Sequence, residues 1–174
     1  MADLDVRLND ADRLGLEGTG VQLDDRGFVV ADGRCRTGEP GVWAVGDIIN
    51  TPALAHVAFA EGMLAIRDIL GEEPTPLDHH GTPWCIYCHP EVAFAGHTEE
   101  SAKEAGFDVV TSKHSFSGNG RAKIVGETDG VVKVIAEKRL DGTGGRILGV
   151  HMVGPWVTEQ LGQGYLAVNW EATV

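Results

Sequence analysis

One stretch constrains the fold of this chain more than any other: Gly41-Val42-Trp43-Ala44-Val45-Gly46-Asp47. Val42–Val45 reads as a buried strand that runs into Gly46 and a single carboxylate. Shortly after, Leu54-Ala55-His56 opens an alanine-rich helix. A strand that delivers one Asp to its carboxyl end, opposite a helix N-terminus, is a ligand site in open α/β sheets. The Asp can accept hydrogen bonds from sugar-like hydroxyls. The helix start offers free N–H groups and the positive end of a dipole.

The helix is predicted over Ala53–Leu70. Leu54, Val57, Ala58, Glu61, Ala65 and Ile69 recur at helical spacing, and Gly71 is a natural stop. Upstream, residues 21–33 read as two short strands around an Asp-Asp-Arg-Gly turn, and residues 1–20 show no clear period. Gly71-Glu72-Glu73-Pro74-Thr75-Pro76 is a linker, because proline bars both helix and ladder, and the domain boundary falls there.

Beyond the linker the pattern changes to strand and turn. Strands are predicted at Pro83–Cys88, Val92–Gly96, Val109–His114, Ala122–Val125, Val131–Glu137 and Ile147–Val153. Thr98 is an N-cap for a helix to Ala105, with Glu99 and Glu100 in its first turn. Asp129-Gly130 and Asp141-Gly142 mark hairpins, and Trp156–Trp170 is a last helix weakened by Gly162 and Gly164. The fold class is α+β: part of an α/β domain, then an antiparallel sheet with helices on one face.

Composition narrows the function. The net charge of −12 opposes nucleic-acid binding, which needs basic surface to displace counterions. An apolar content of 43% suits a globular chain, and no apolar run approaches a membrane span. The absence of a signal pattern points to the cytoplasm or an organelle matrix.

Three cysteines invite a redox reading. Trp84-Cys85-Ile86-Tyr87-Cys88 contains a CxxC, but a reactive pair needs its first thiol at a helix N-terminus. The β-forming residues between them place the two thiols on opposite faces of a strand, where a disulfide is geometrically poor. They read as structural thiols, and Cys35 as isolated and inert. His79, His80, Cys85, Cys88 and His89 match no standard zinc spacing, so no metal site is assigned.

Several segments, in order, resemble the pyridine-nucleotide-disulfide oxidoreductases. Arg36-Thr37, Pro40-Gly41-Val42 and Gly46-Asp47 resemble the family's second flavin-contacting segment. Leu54-Ala55-His56 with Glu61-Gly62 resembles its dihydrolipoyl dehydrogenase branch. Ile86-Tyr87, His89-Pro90-Glu91-Val92-Ala93, Gly96 and Thr98-Glu99 resemble the start of its dimerisation domain. Phe116, Asn119, Arg121-Ala122, Gly126-Glu127-Thr128-Asp129-Gly130, Ile147–His151 and Val153-Gly154-Pro155 continue it.

The resemblance implies FAD as cofactor and NAD as co-substrate, with oxidation of dihydrolipoamide. It implies a homodimer and, as a further partner, the acyltransferase subunit of a 2-oxo acid dehydrogenase complex. It divides the chain into residues 1–73, the end of the nucleotide-binding region and second segment of the FAD domain, and residues 78–174, an incomplete dimerisation domain. Flavin contacts would come from Gly46, Asp47, Ala53, Leu54, Ala55 and His56, chiefly the Asp47 carboxylate and backbone N–H groups at the helix start. Phe116–Arg121 would be structural, beside the subunit interface.

A phosphate loop, a reactive Cys pair on an early helix and a terminal His-Glu segment are family features that do not occur here. The expectation is therefore an internal piece of the enzyme with no catalytic residue of its own and no activity alone. Rival readings are another family member, such as a mercuric or glutathione-type reductase, a non-catalytic dimerisation module, and a small thiol oxidoreductase using Cys85 and Cys88.

Overall fold

Five strands organise the second half of the chain. In a computed structural model that describes residues 11–174, the chain divides into two compact units, one ending at His79 and one running from His80 to Val174. The reading of residues 1–10 lies outside the described residues.

The first unit is held mainly by turns. Asp24 Oδ1 accepts from the N–H groups of Arg26 and Phe28, and Asp32 Oδ1 from those of Arg34 and Arg36. These side chains satisfy backbone donors that a ladder would otherwise need. The strands expected at 21–33 and at Val42–Val45 are accordingly absent. Only isolated bridges form, Leu23 to Val29 and Arg36 to Trp43 antiparallel, and Val29 to Ile49 parallel. Ala11, Val29, Ala44 and Ile49 make one small core, and Cys35, Leu64 and Ala65 another, flanked by Trp43, Val45 and Leu77.

Helix α1 spans Ala55–Ile69 and ends at Gly71 with φ +79°, the left-handed stop that glycine permits. It buries Val57, Glu61, Leu64, Ala65 and Asp68. Ile69, expected on this face, is exposed. Asp68 is held by Arg36 through Nε at 2.6 Å and Nη2 at 2.7 Å, and by the Trp43 indole N–H at 2.9 Å. A buried carboxylate needs such partners to stay charged.

In the second unit β1 (Trp84–Ile86), β2 (Glu91–Gly96), β3 (Val109–Ser115), β4 (Val131–Lys138) and β5 (Gly144–Gly154) form one antiparallel sheet in the order β1-β2-β5-β4-β3. Alternation sets Ala93, Ala95, Val150 and Met152 against Val157 and Leu161 of helix α4 (Val157–Asn169). Gly164 permits this approach: a Cβ there would lie 2.9 Å from Val150 Cγ1. Helix α2 (Glu99–Glu104) buries Ala102 against Ile135 and Leu148. Its Thr98 cap is completed reciprocally by Ser101.

Two expectations fail here. Ala122–Val125 lies in helix α3 (Gly120–Val125), not a strand, because the Asn119 side chain caps the Ala122 N–H at 3.1 Å and Gly126 closes the turn at φ +77°. Asp129-Gly130 is not a hairpin turn. Ser115 does pair with Val131, but residues 116–130 between them contain α3, and Gly130 turns against the Phe116 ring. Asp141-Gly142 does join β4 to β5, with Asp141 accepting from Thr143 N at 2.9 Å and Oγ1 at 2.6 Å.

Candidate functional site

The Gly46–Asp47 turn is a single 3₁₀ turn, Gly46–Ile48, packed on α1. Gly46 is buried at φ +73°, and a Cβ there would come within 3.2 Å of Ala58 Cβ. No other residue takes this conformation at so little cost. Its N–H donates to Glu61 Oε2 at 2.6 Å. The next residue, Asp47, is exposed, and its carboxylate has no hydrogen-bond partner among the described residues.

The chain returns through Asn50-Thr51-Pro52, where Leu54 N–H donates to Pro52 O at 2.8 Å and α1 begins. Leu54 is the N-cap and supplies no side-chain hydrogen bond. The positive end of α1 is thus without an acidic or hydroxyl cap. Ala53, Ala55 and His56 are exposed and Leu54 is half-buried. Glu61, read from the sequence only as a member of the helical stripe and of the Glu61-Gly62 resemblance, touches the Gly46 turn. Its signal was a carboxylate placed in the buried stripe of α1.

A carboxylate free to accept from hydroxyls and a helix start with no side-chain cap suit one edge of a flavin nucleotide. The residues present fit that group in donor and acceptor chemistry.

All three thiols are free. Cys85 lies in β1, not at a helix start; its thiol donates to Thr158 O at 3.9 Å, and its pKa is pushed up by burial and by Glu159 and Glu91. Cys88 is exposed and donates to Pro90 O at 3.0 Å. Among the described residues no three His, Cys, Asp or Glu side chains gather as metal ligands. No described helix is long and apolar enough to cross a membrane.

The Phe116–Arg121 loop is tied locally, Asn119 capping α3. It borders a concavity of about 320 Å³, lined in part by Phe116, Arg121, Val125 and Trp156.

Comparison with known proteins gives the geometry its setting. Curated relatives include dihydrolipoyl dehydrogenases of Bacillus subtilis, 41% identical over 94% of this chain, and of Rhizobium etli, 44% over 93%. The mitochondrial dihydrolipoyl dehydrogenase of the dog is 39% identical over 92%. The chain spans about a third of their length: 34%, 33% and 30% respectively. Among solved structures, LpdA of Mycobacterium tuberculosis superposes with a TM-score of 0.81 at 26% identity, over 93% of this chain and 34% of that one. The HOCl-induced flavoprotein disulfide reductase RclA of Escherichia coli shares the fold, with a TM-score of 0.73 at 24% identity over 90% of this chain and 35% of its own. The pyridine nucleotide-disulphide oxidoreductase model matches residues 7–62, which contain the Gly46–Asp47 turn and the start of α1. With the dimerisation domain of the same family matching residues 82–174, the chain belongs to the pyridine nucleotide-disulphide oxidoreductases.

Proposed function

We propose that this chain is part of a flavin-dependent oxidoreductase that oxidises dihydrolipoamide and passes the electrons to NAD. The segment to about residue 73, within the first unit, supplies one edge of the FAD site. The segment from about residue 78 supplies the homodimer interface. The observation that carries this reading is the exposed Asp47 carboxylate following a buried, left-handed Gly46, in a chain 41% identical to a dihydrolipoyl dehydrogenase. FAD, when bound, supplies the electron relay between dithiol and nicotinamide.

The chain's own residues bind and orient. Asp47 accepts from hydroxyls of the ribityl chain. The N–H groups of Ala53, Ala55 and His56 would hold the electron-rich edge of the ring, Leu54 contributing its place at the N-cap while its own N–H is donated to Pro52 O, and the dipole of α1 would stabilise negative charge there. The lipoamide branch is favoured by Leu54-Ala55-His56 and by the relatives' names. A cytoplasmic place and an acyltransferase partner from a 2-oxo acid dehydrogenase complex go with that branch. The reading of a bare dimerisation module gives no account of Gly46–Asp47.

The test is a chimaera in which this chain replaces the matching third of the Bacillus subtilis relative. A yellow, FAD-loaded dimer that reduces NAD with dihydrolipoamide is expected. Asp47→Ala should lose roughly tenfold or more in flavin affinity, the worth of one hydrogen bond to a charged group. Unchanged flavin retention and turnover in Asp47→Ala would remove Asp47 from the site.

A further inference from the structure

We propose that Glu61 is a positioning residue: from within α1 it fixes the Gly46–Asp47 turn in the geometry that a flavin nucleotide requires. The inference rests on the flavin reading above. Glu61 is 1% exposed, and one of its oxygens, Oε2, takes the Gly46 N–H at 2.6 Å. That hydrogen bond is short, and it tethers the turn to the helix. Ala58, one turn earlier on the same helix, leaves little room for a side chain at Gly46, since a Cβ there would lie 3.2 Å from its methyl. Ile49 N–H then donates to Gly46 O at 3.0 Å, closing the 3₁₀ turn beyond Asp47. Asp47, with no side-chain partner of its own among the described residues, therefore takes its place from Gly46, and Gly46 takes its place from Glu61.

The second oxygen sharpens the argument. Glu61 Oε1 is buried and accepts no hydrogen bond among the described residues, and His79 Nε2 stands 4.0 Å away. Leaving a carboxylate oxygen buried and unpaired is costly, and an apolar residue would fill this position of the stripe at no such penalty. The other carboxylate of this row, Asp68, is held by Arg36 and Trp43; among the described residues Glu61 has no such cation at bonding distance. The group that needs the Glu61 carboxylate is the Gly46 N–H, which a buried Leu in place of Glu61 would leave orphaned.

Amide hydrogen exchange of the chain decides it, comparing Glu61→Gln and Glu61→Leu with the parent. Gln keeps a carbonyl oxygen for the Gly46 N–H, and Leu keeps only the volume. In Glu61→Leu the Gly46 and Asp47 amides should exchange about tenfold or more faster, while the Leu64 and Ala65 amides keep their rates. Glu61→Gln should restore slow exchange at Gly46. Equal rates at Gly46 in all three proteins overturn the proposal, as does a uniform acceleration along α1, which reports lost stability alone. In the chimaera, FAD affinity should follow the same order, parent and Gln above Leu. A Gly46 effect in exchange without any change in FAD affinity also overturns the positioning role. Failure of the parent chimaera to bind FAD counts against the flavin reading itself.

Discussion

Two buried carboxylates of α1 do different work, and their partners decide which. Glu61 spends one oxygen on a backbone N–H of the Gly46 turn. Asp68 is salt-bridged and saturated: Arg36 above all, then Trp43 and Arg34, hold its carboxyl below the ordinary value of 3.8 against the effect of burial. A carboxylate with a depressed folded pKa adds stability that is complete above its unfolded value and is lost as pH falls through the folded one. Urea midpoints of the first unit should therefore fall as pH drops through 3.8 and below. Asp68→Asn should lower the midpoint at neutral pH and flatten this acid dependence; an unchanged slope would mean that the ion pair contributes nothing. Cys35 makes the opposite case. Burial, then Glu61, Asp32 and Asp68, push its thiol up to about 11. With iodoacetamide at about pH 8, Cys88 should react first and Cys35 only on unfolding, as peptide mapping would show.

At the scale of elements, α4 separates two glycines that look alike in the sequence. A Cβ at Gly162 would meet nothing within 4 Å, whereas one at Gly164 would meet Val150. Gly162→Ala should stabilise by about 0.5–1 kcal/mol through helix propensity. Gly164→Ala should destabilise, because α4 must lift off β5. Thermal melts of the two variants should move in opposite directions. The same contrast explains what the sequence disclosed. Strands β2 to β5 and helix α2 were legible because alternation and the Thr98 cap act within a few residues. Ala122–Val125 was not: Ala-Lys-Ile-Val has no periodicity long enough to choose, and Asn119 and Gly126 at its ends decided for helix. Val42–Val45 had the composition of a strand, but a ladder also needs a neighbour, and here only Arg36 bridges to it. At the site, the Gly46–Asp47 turn was readable from local chemistry. Glu61 was not, because its role rests on a hydrogen bond to a residue 15 positions away.

For the whole molecule, the exposed apolar side chains carry the argument. Phe59, Met63 and Ile66 of α1 and Leu70 at its C-cap recur at helical spacing and are 76%, 69%, 57% and 70% exposed, a stripe opposite the buried Val57–Glu61–Leu64 face. On the second unit Tyr87, Ile124, Val125, Trp156 and Trp170 are exposed as well. Isolated apolar residues are ordinary on a protein surface, but contiguous ones mark surfaces that associate. The family match of the second unit is to a dimerisation domain, so its exposed apolar residues are the part expected to pair two-fold. The polypeptide should therefore sediment as a dimer at tens of micromolar. A Val125→Asp, Trp156→Asp double variant should shift it toward monomer if the concavity that these two residues line belongs to that interface. A parent chain that stays monomeric across this range would separate the family's fold from its assembly in this protein. Dimerisation alone is not expected to confer catalysis. The 174 residues hold no CxxC at a helix start and no Gly-rich phosphate loop, so the pure chain should reduce no NAD with dihydrolipoamide. Measurable turnover by the pure chain would require a dithiol centre among Cys35, Cys85 and Cys88, and the strand position of Cys85 and the burial of Cys35 argue against one.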